Sequence, residues 1–131
     1  MSLKILIADD EPNIVISLEY LMKREGFQVS VARDGAEALA MIDDDPPDLL
    51  LLDAMMPNVD GFEVLQTLQG QPERPKVIML TAKGRESDVE KGRALGADDY
   101  VVKPFSTGEL VERVRYTLAQ HETVAVNVVG T

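Results

Sequence analysis

The chain has 131 residues, 13 Lys+Arg against 23 Asp+Glu, and no cysteine, for a formal net charge of −10. That length suits one domain with a real core, and the absent cysteines exclude a disulfide framework, a thiolate nucleophile and a Cys-based metal site. The negative field disfavours nucleic-acid and anionic-lipid surfaces, so no direct DNA binding and no membrane partner are expected, and the lack of cysteine suits a reducing, cytoplasmic setting.

No apolar run approaches the roughly 20 residues of a membrane span, and the opening "MSLKILIADD" does not read as a signal peptide. In chain order, "LKILIA" (3–8) reads as a strand that delivers Asp9-Asp10 at its end. A helix follows, with Pro12 in its first turn, a stripe of Ile14, Val15, Leu18, Leu21 and Met22, and Gly26 just past its end. "QVSVA" (28–32) is a second strand, and "DGAEALAMI" opens a helix with Asp34 and Glu37 at capping-box spacing. "DLLLLD" (48–53) is a third strand ending in Asp53. Pro57 and Asp60-Gly61 then turn the chain into a helix carrying Phe62, Leu65 and Leu68 and closing at Gly70.

"KVIML" (76–80) is a fourth strand, with Thr81 next in the chain. The helix expected over 86–96 is poor, since only Val89 and Leu95 are large and apolar. Its mid-helix Gly92 costs about 1 kcal/mol relative to Ala, so this helix should be marginal and easily moved. "YVV" (100–102) is a fifth strand leading to Lys103-Pro104. The last helix pairs Ser106 with Glu109 at box spacing and carries Leu110, Val111, Val114 and Leu118. "ETVAVNVVGT" has no helical stripe and reads as a tail or the start of a linker. The domain is therefore expected over 1–120, with 121–131 outside it.

Strand then helix, five times over, with continuously apolar strands, means a doubly wound α/β sheet whose strands are parallel and covered on both faces. Ligands of such sheets bind outside the carboxyl ends of the strands. There the chain would deliver three acids (Asp9, Asp10, Asp53), one hydroxyl (Thr81) and one ammonium (Lys103). Close carboxylates take up protons unless a cation compensates them, and Mg²⁺ does so while leaving positions for phosphate oxygens. Aspartate can itself attack phosphorus, and a metal and a lysine can neutralise the charge that develops. Singly, each residue has a plainer reading: Asp9 or Asp10 as a helix cap, Asp53 as a turn former, Thr81-Ala82 as loop, Lys103 as surface charge. Jointly, four strand ends with matching chemistry point to a phosphoryl-transfer rim.

The stretches "ILIADDEP" (5–12), "LLLLDAMMPNVDGFEV" (49–64), "VIMLTA" (77–82) and "GADDYVVKPFSTGEL" (96–110) resemble the receiver domain of two-component response regulators. The resemblance covers roughly residues 3–119. It implies a three-layer, flavodoxin-like, five-stranded parallel sheet in strand order 2-1-3-4-5. It also implies a phosphoacceptor at Asp53, taking its phosphoryl group from a sensor histidine kinase or phosphotransfer protein. Mg²⁺ (or Mn²⁺) would be held by Asp10, Asp53 and the Met55 carbonyl, with Asp9 acting through a water. Thr81, Ala82 and Lys103 would stabilise the phosphoryl group, Thr81 and Tyr100 would switch, and the Lys103–Pro104 peptide would be cis. Met55 and Lys83 sit at positions that tune phosphoryl lifetime. Lys91, Asp98, Asp99, Glu109 and Arg113 would lie on an output face made by the fourth helix, fifth strand and fifth helix, a pattern similar to one used for phosphorylation-dependent homodimers. His121 falls outside the motifs, and the Met55-Met56 pair reads equally as loop packing.

Three rival readings are weighed beside this signalling switch. An aspartyl-phosphate hydrolase would want a second Asp two residues after the nucleophile, where Met55 stands. Flavin binding would want a Ser/Thr/Gly-rich phosphate loop where the chain has "DDEPN". A pseudo-receiver scaffold would not need acid pair, acceptor, hydroxyl and lysine together. The donor kinase and the downstream effector have no signature in the chain.

Overall fold

β3 (Leu49–Asp53) is buried at every position. It sits at the centre of the sheet, between β1 (Lys4–Ala8) and β4 (Lys76–Ala82). The structure, a computed structural model, describes residues 2–82 and 86–130, with side chains through residue 120. β2 (Gln28–Ala32) and β5 (Asp99–Lys103) complete the sheet at its edges, in the order β2-β1-β3-β4-β5 with every pair parallel. This is the flavodoxin-like order that the resemblance implies.

Successive strand residues face opposite sides, so each central strand feeds two cores. On one side Leu6, Leu50, Leu52, Val77 and Met79 pack with residues of α2 (Gly35–Asp44) and α3 (Gly61–Leu68), notably Ile42, Phe62, Leu65 and Leu68. On the other side Ile5, Ile7, Leu49, Leu51, Ile78 and Leu80 pack with α1 (Pro12–Arg24) and α5 (Thr107–Gly130), through Leu18, Leu21, Met22, Leu110 and Val114. Burying each such side chain stabilises the fold by about 1.5–3 kcal/mol, which is why "LLLL" has no polar interruption. α4 (Glu86–Ala94) joins the α2–α3 side and buries only Gly92.

Three differences from the expected elements have physical reasons. β2 is not covered on both faces: Gln28 and Ser30 are exposed while Val29 and Val31 are half-buried, because an edge strand has a neighbour on one side only. β4 runs on through Thr81 and Ala82, which pair with Val102 and Lys103, so these residues belong to the sheet and not to a loop. α5 continues to Gly130, through a stretch that the sequence offered only as a tail or the start of a linker. The side chain of His121 lies outside the described residues, as does Lys83.

The helix starts follow local chemistry. The Asp34 side chain accepts from the Glu37 N–H, and Ser106 Oγ accepts from the Glu109 N–H, as the spacing predicts. Gly26, Gly70 and Gly96 end helices in the left-handed region that favours glycine.

Candidate functional site

Three strands and one turn converge on the carboxyl edge of the sheet. Asp53 ends β3, Asp9 and Asp10 follow β1, Thr81 lies near the end of β4 and Lys103 ends β5. One oxygen from each of Asp9, Asp10 and Asp53 lies within 4.8 Å of the others, in a cluster suited to a metal ion. Lys103 Nζ donates to Asp9 Oδ2 at 2.9 Å and lies 3.5 Å from Asp53 Oδ1 and 3.5 Å from Glu11 Oε1. Asp9 is fully buried, and its other oxygen accepts the Glu11 N–H at 2.9 Å. The Met55 N–H donates to Asp53 Oδ1 at 3.3 Å.

Three carboxylates against one ammonium leave the rim with excess negative charge, and the electrostatics record it. Burial, then the nearby Asp9 charge, push the Asp53 carboxyl up from 3.8 to about 7, against the opposing pull of Lys103 and the Met55 N–H. Burial pulls the Lys103 ammonium down, but the Asp9 hydrogen bond and the charges of Asp53, Asp9 and Glu11 outweigh it, so its pKa is raised overall. A cation bound at this rim would favour the ionised carboxylate. The donor set is all oxygen, which suits a hard ion such as Mg²⁺. Thr81 Oγ1 is buried, 2% exposed, and has no hydrogen-bond partner among the described residues. An unpaired buried hydroxyl costs about 1–3 kcal/mol, and a ligand oxygen at the rim would relieve it.

The backbone around Asp53 is held by close packing. The Gly61 N–H donates to the Ala54 carbonyl at 3.1 Å, and a Cβ at Gly61 would stand 2.3 Å from the Asp53 carbonyl oxygen. The chain therefore doubles back onto the residue it has just positioned. Asn58 is left-handed at φ 65°, and its amide reaches Asp34 Oδ2 at 3.5 Å. A Cβ at Gly35 would meet the Val59 carbonyl at 2.1 Å, so the start of α2 clamps the same loop.

The expected site residues divide into two groups. Asp9, Asp10, Asp53, Thr81 and Lys103 gather at the rim. Met55 flanks it with an exposed side chain, Ala82 pairs beside Lys103, and the Lys103–Pro104 peptide is cis. Tyr100 is half-buried on β5; its hydroxyl accepts from Arg93 of α4, whose guanidinium carbon lies 5.2 Å from the ring centre. The expected output charges are scattered. Asp99 pairs with Arg113 at 2.8 Å, with Glu109 close enough to help raise the Arg113 pKa, for which the Asp99 hydrogen bond is the main cause. Asp98 instead accepts from the Val77 N–H and Arg74, and Lys91 stacks 4.5 Å over the Phe62 ring.

Sequence reasoning passed over Glu11, whose reach to Lys103 has no sequence signal, since an acid before a helix reads as a cap. It also passed over the capping box of Asp60 and Glu63, which the three-residue spacing could have disclosed.

The match to known proteins agrees with the geometry. The model of the response regulator receiver domain matches residues 5–115. A candidate response regulator from Chloroflexus aurantiacus J-10-fl is similar at 36% identity and a TM-score of 0.87, over 91% of this chain and 99% of that one. The chemotaxis protein CheY4 of Vibrio cholerae is similar at 28% identity and a TM-score of 0.83, over 89% of this chain and 99% of that one. NtrX from Brucella abortus is similar at 26% identity and a TM-score of 0.90, over 100% of this chain but 30% of that one. With a five-stranded parallel sheet, an acidic rim and a family match over most of its length, the chain belongs to the response regulator receiver domains of two-component signalling.

Proposed function

We propose that this receiver accepts a phosphoryl group on Asp53 from the phosphohistidine of a sensor histidine kinase or phosphotransfer protein. The observation that carries the proposal is the position of Asp53, set on a buried central strand between Asp9, Asp10 and Lys103 and on the same rim as the unpaired Thr81 hydroxyl. An Asp53 carboxylate oxygen attacks phosphorus as the P–N bond breaks, and the electron pair returns to the donor imidazole. Lys103 then turns from its carboxylates to a phosphoryl oxygen, and the Thr81 hydroxyl donates to another. Asp9, Asp10, Asp53 and the Met55 carbonyl would hold Mg²⁺ or Mn²⁺, which supplies charge neutralisation and keeps Asp53 ionised at neutral pH.

The phosphoryl group adds about −2 charge at the rim. Tyr100 and α4 are the elements to respond, because the Tyr100 hydroxyl is tied to α4 and α4 is lightly anchored. The output face would then be α4, β5 and α5, with Asp99, Glu109 and Arg113 as the charges best placed to exchange partners in a homodimer or effector contact. Lys91 and Asp98 are engaged within the chain, so their part is smaller. A cytoplasmic role is part of this proposal, and no helix among the described residues is long and apolar enough to cross a membrane. The chain is proposed to act as a switch whose only chemistry is its own phosphorylation and dephosphorylation, with a domain unit over 1–120.

Acetyl phosphate with Mg²⁺ tests the proposal by intact mass. One added phosphoryl group is expected in the wild type and none in Asp53→Ala or after chelation. An unmodified wild type would overturn it.

A further inference from the structure

Lys103 Nζ donates to Asp9 at 2.9 Å and lies 3.5 Å from both Asp53 and Glu11, so three carboxylates share one ammonium. Two of those partners are buried: Asp9 and Asp53. The third, Glu11, has a side chain 62% exposed. Glu11 occupies the N-cap position of α1 in extended conformation, yet its side chain makes no capping hydrogen bond. A carboxylate at that position ordinarily serves the helix, accepting an orphan N–H and favouring the positive end of the dipole. Here it reaches across the rim to Lys103, while its own N–H holds the other oxygen of Asp9.

We propose that Glu11 is a positioning residue that tethers Lys103 in the unphosphorylated state and so restrains phosphorylation. This rests on the reading of Asp53 as phosphoacceptor. A phosphoryl group arriving on Asp53 needs a donor from Lys103. The Asp9 contact is the shortest and most buried of the three, and Asp53 is the group being modified. Glu11 is therefore the partner that lets go. Until it does, it holds the ammonium by its charge at 3.5 Å and presents a negative charge to an anionic donor. An ion pair with so exposed a partner is weak, so the restraint should be modest and salt-sensitive.

Three proteins separate the tether from simple charge repulsion: wild type, Glu11→Gln and Glu11→Asp. The Asp side chain keeps the charge but is one methylene shorter and caps helices well, so it should leave Lys103 for α1. The rate of phosphorylation by acetyl phosphate with Mg²⁺ is expected to rise about two- to five-fold in Glu11→Gln. Glu11→Asp should recover at least half of that gain, and the gain should shrink as salt is raised. In metal-free protein without donor, the Lys103 Nζ resonance in ammonium-detected NMR should shift in both variants. Unchanged rates in both, or a gain in Glu11→Gln alone, would overturn the tether, as would an unmoved Lys103 resonance. A wild type that takes no phosphoryl group would instead sink the phosphoacceptor reading, and the NMR comparison would still decide whether Glu11 holds Lys103.

Discussion

α3 and α4 pack on the same side of the sheet and are nearly the same length, but they are held very differently. α3 buries Gly61, Phe62, Val64, Leu65 and Leu68 of its eight residues and opens with a reciprocal Asp60–Glu63 capping box. α4 buries only Gly92 of its nine, and its ties to the rest run through surface groups such as Arg93 to Tyr100 and Lys91 over Phe62. The difference follows from what each helix adjoins. α3 begins against the backbone of Asp53 and must hold that carboxylate still, whereas α4 adjoins the strand that carries Tyr100. A switch needs one part that stays fixed while charge changes and another of low local stability that can answer it.

The sharpest way to break this contrast is at the rigid half. Gly61→Ala drives a Cβ to 2.3 Å from the Asp53 carbonyl oxygen, so the β3–α3 loop must shift. A loss of about 3 kcal/mol in urea unfolding is expected, with weaker Mg²⁺ binding by calorimetry. Stability within error of wild type would show that the loop is softer than its packing implies.

A smaller effect is expected from pH. The folded Asp53 carboxyl sits at about 7 rather than 3.8, so the folded protein holds a proton that the unfolded chain gives up. That contribution is fully present below about pH 4 and is lost as pH rises through about 7. Metal-free wild type should therefore weaken over that range more than Asp53→Asn does. Because the amide must itself be buried, the variant should be ahead by about 2 kcal/mol at about pH 8. Parallel pH profiles in thermal unfolding would contradict the account.

The smallest effect has the opposite sign and concerns α4. At Gly92 a Cβ would find Met79 Cγ at 3.5 Å, an ordinary contact. Gly92→Ala should stabilise by about 0.5–1 kcal/mol and slow hydrogen exchange in α4. Faster exchange there would mean that α4 needs its glycine for packing, and the contrast with α3 would fail.

The fold was legible where hydrophobic burial decides it. The apolar strands, the stripe of α1 and the poverty of α4 all follow from which residues seek the core. Edges were harder: Thr81 and Ala82 are strand only because Val102 and Lys103 pair with them, and nothing local says so. The Val-rich stretch after residue 120 lacks a helical stripe, yet α5 runs through it to Gly130. At the site, Asp9, Asp10, Asp53, Thr81 and Lys103 could be read because strand ends of a parallel sheet share one rim. The Glu11–Lys103 contact and the Gly35–Val59 clamp could not, since each joins residues far apart in the chain through side-chain or backbone reach. Asp98 was expected on the output face, but its side chain turns towards Val77 and Arg74, which depends on where those donors lie.

The central claim is that Asp53 is the phosphorylated residue. Reducing the phosphorylated protein with borohydride converts an aspartyl phosphate to homoserine, and peptide mass mapping then locates it. The account predicts homoserine at position 53 and nowhere else. Label at Asp9 or Asp10, or none at all, would contradict it.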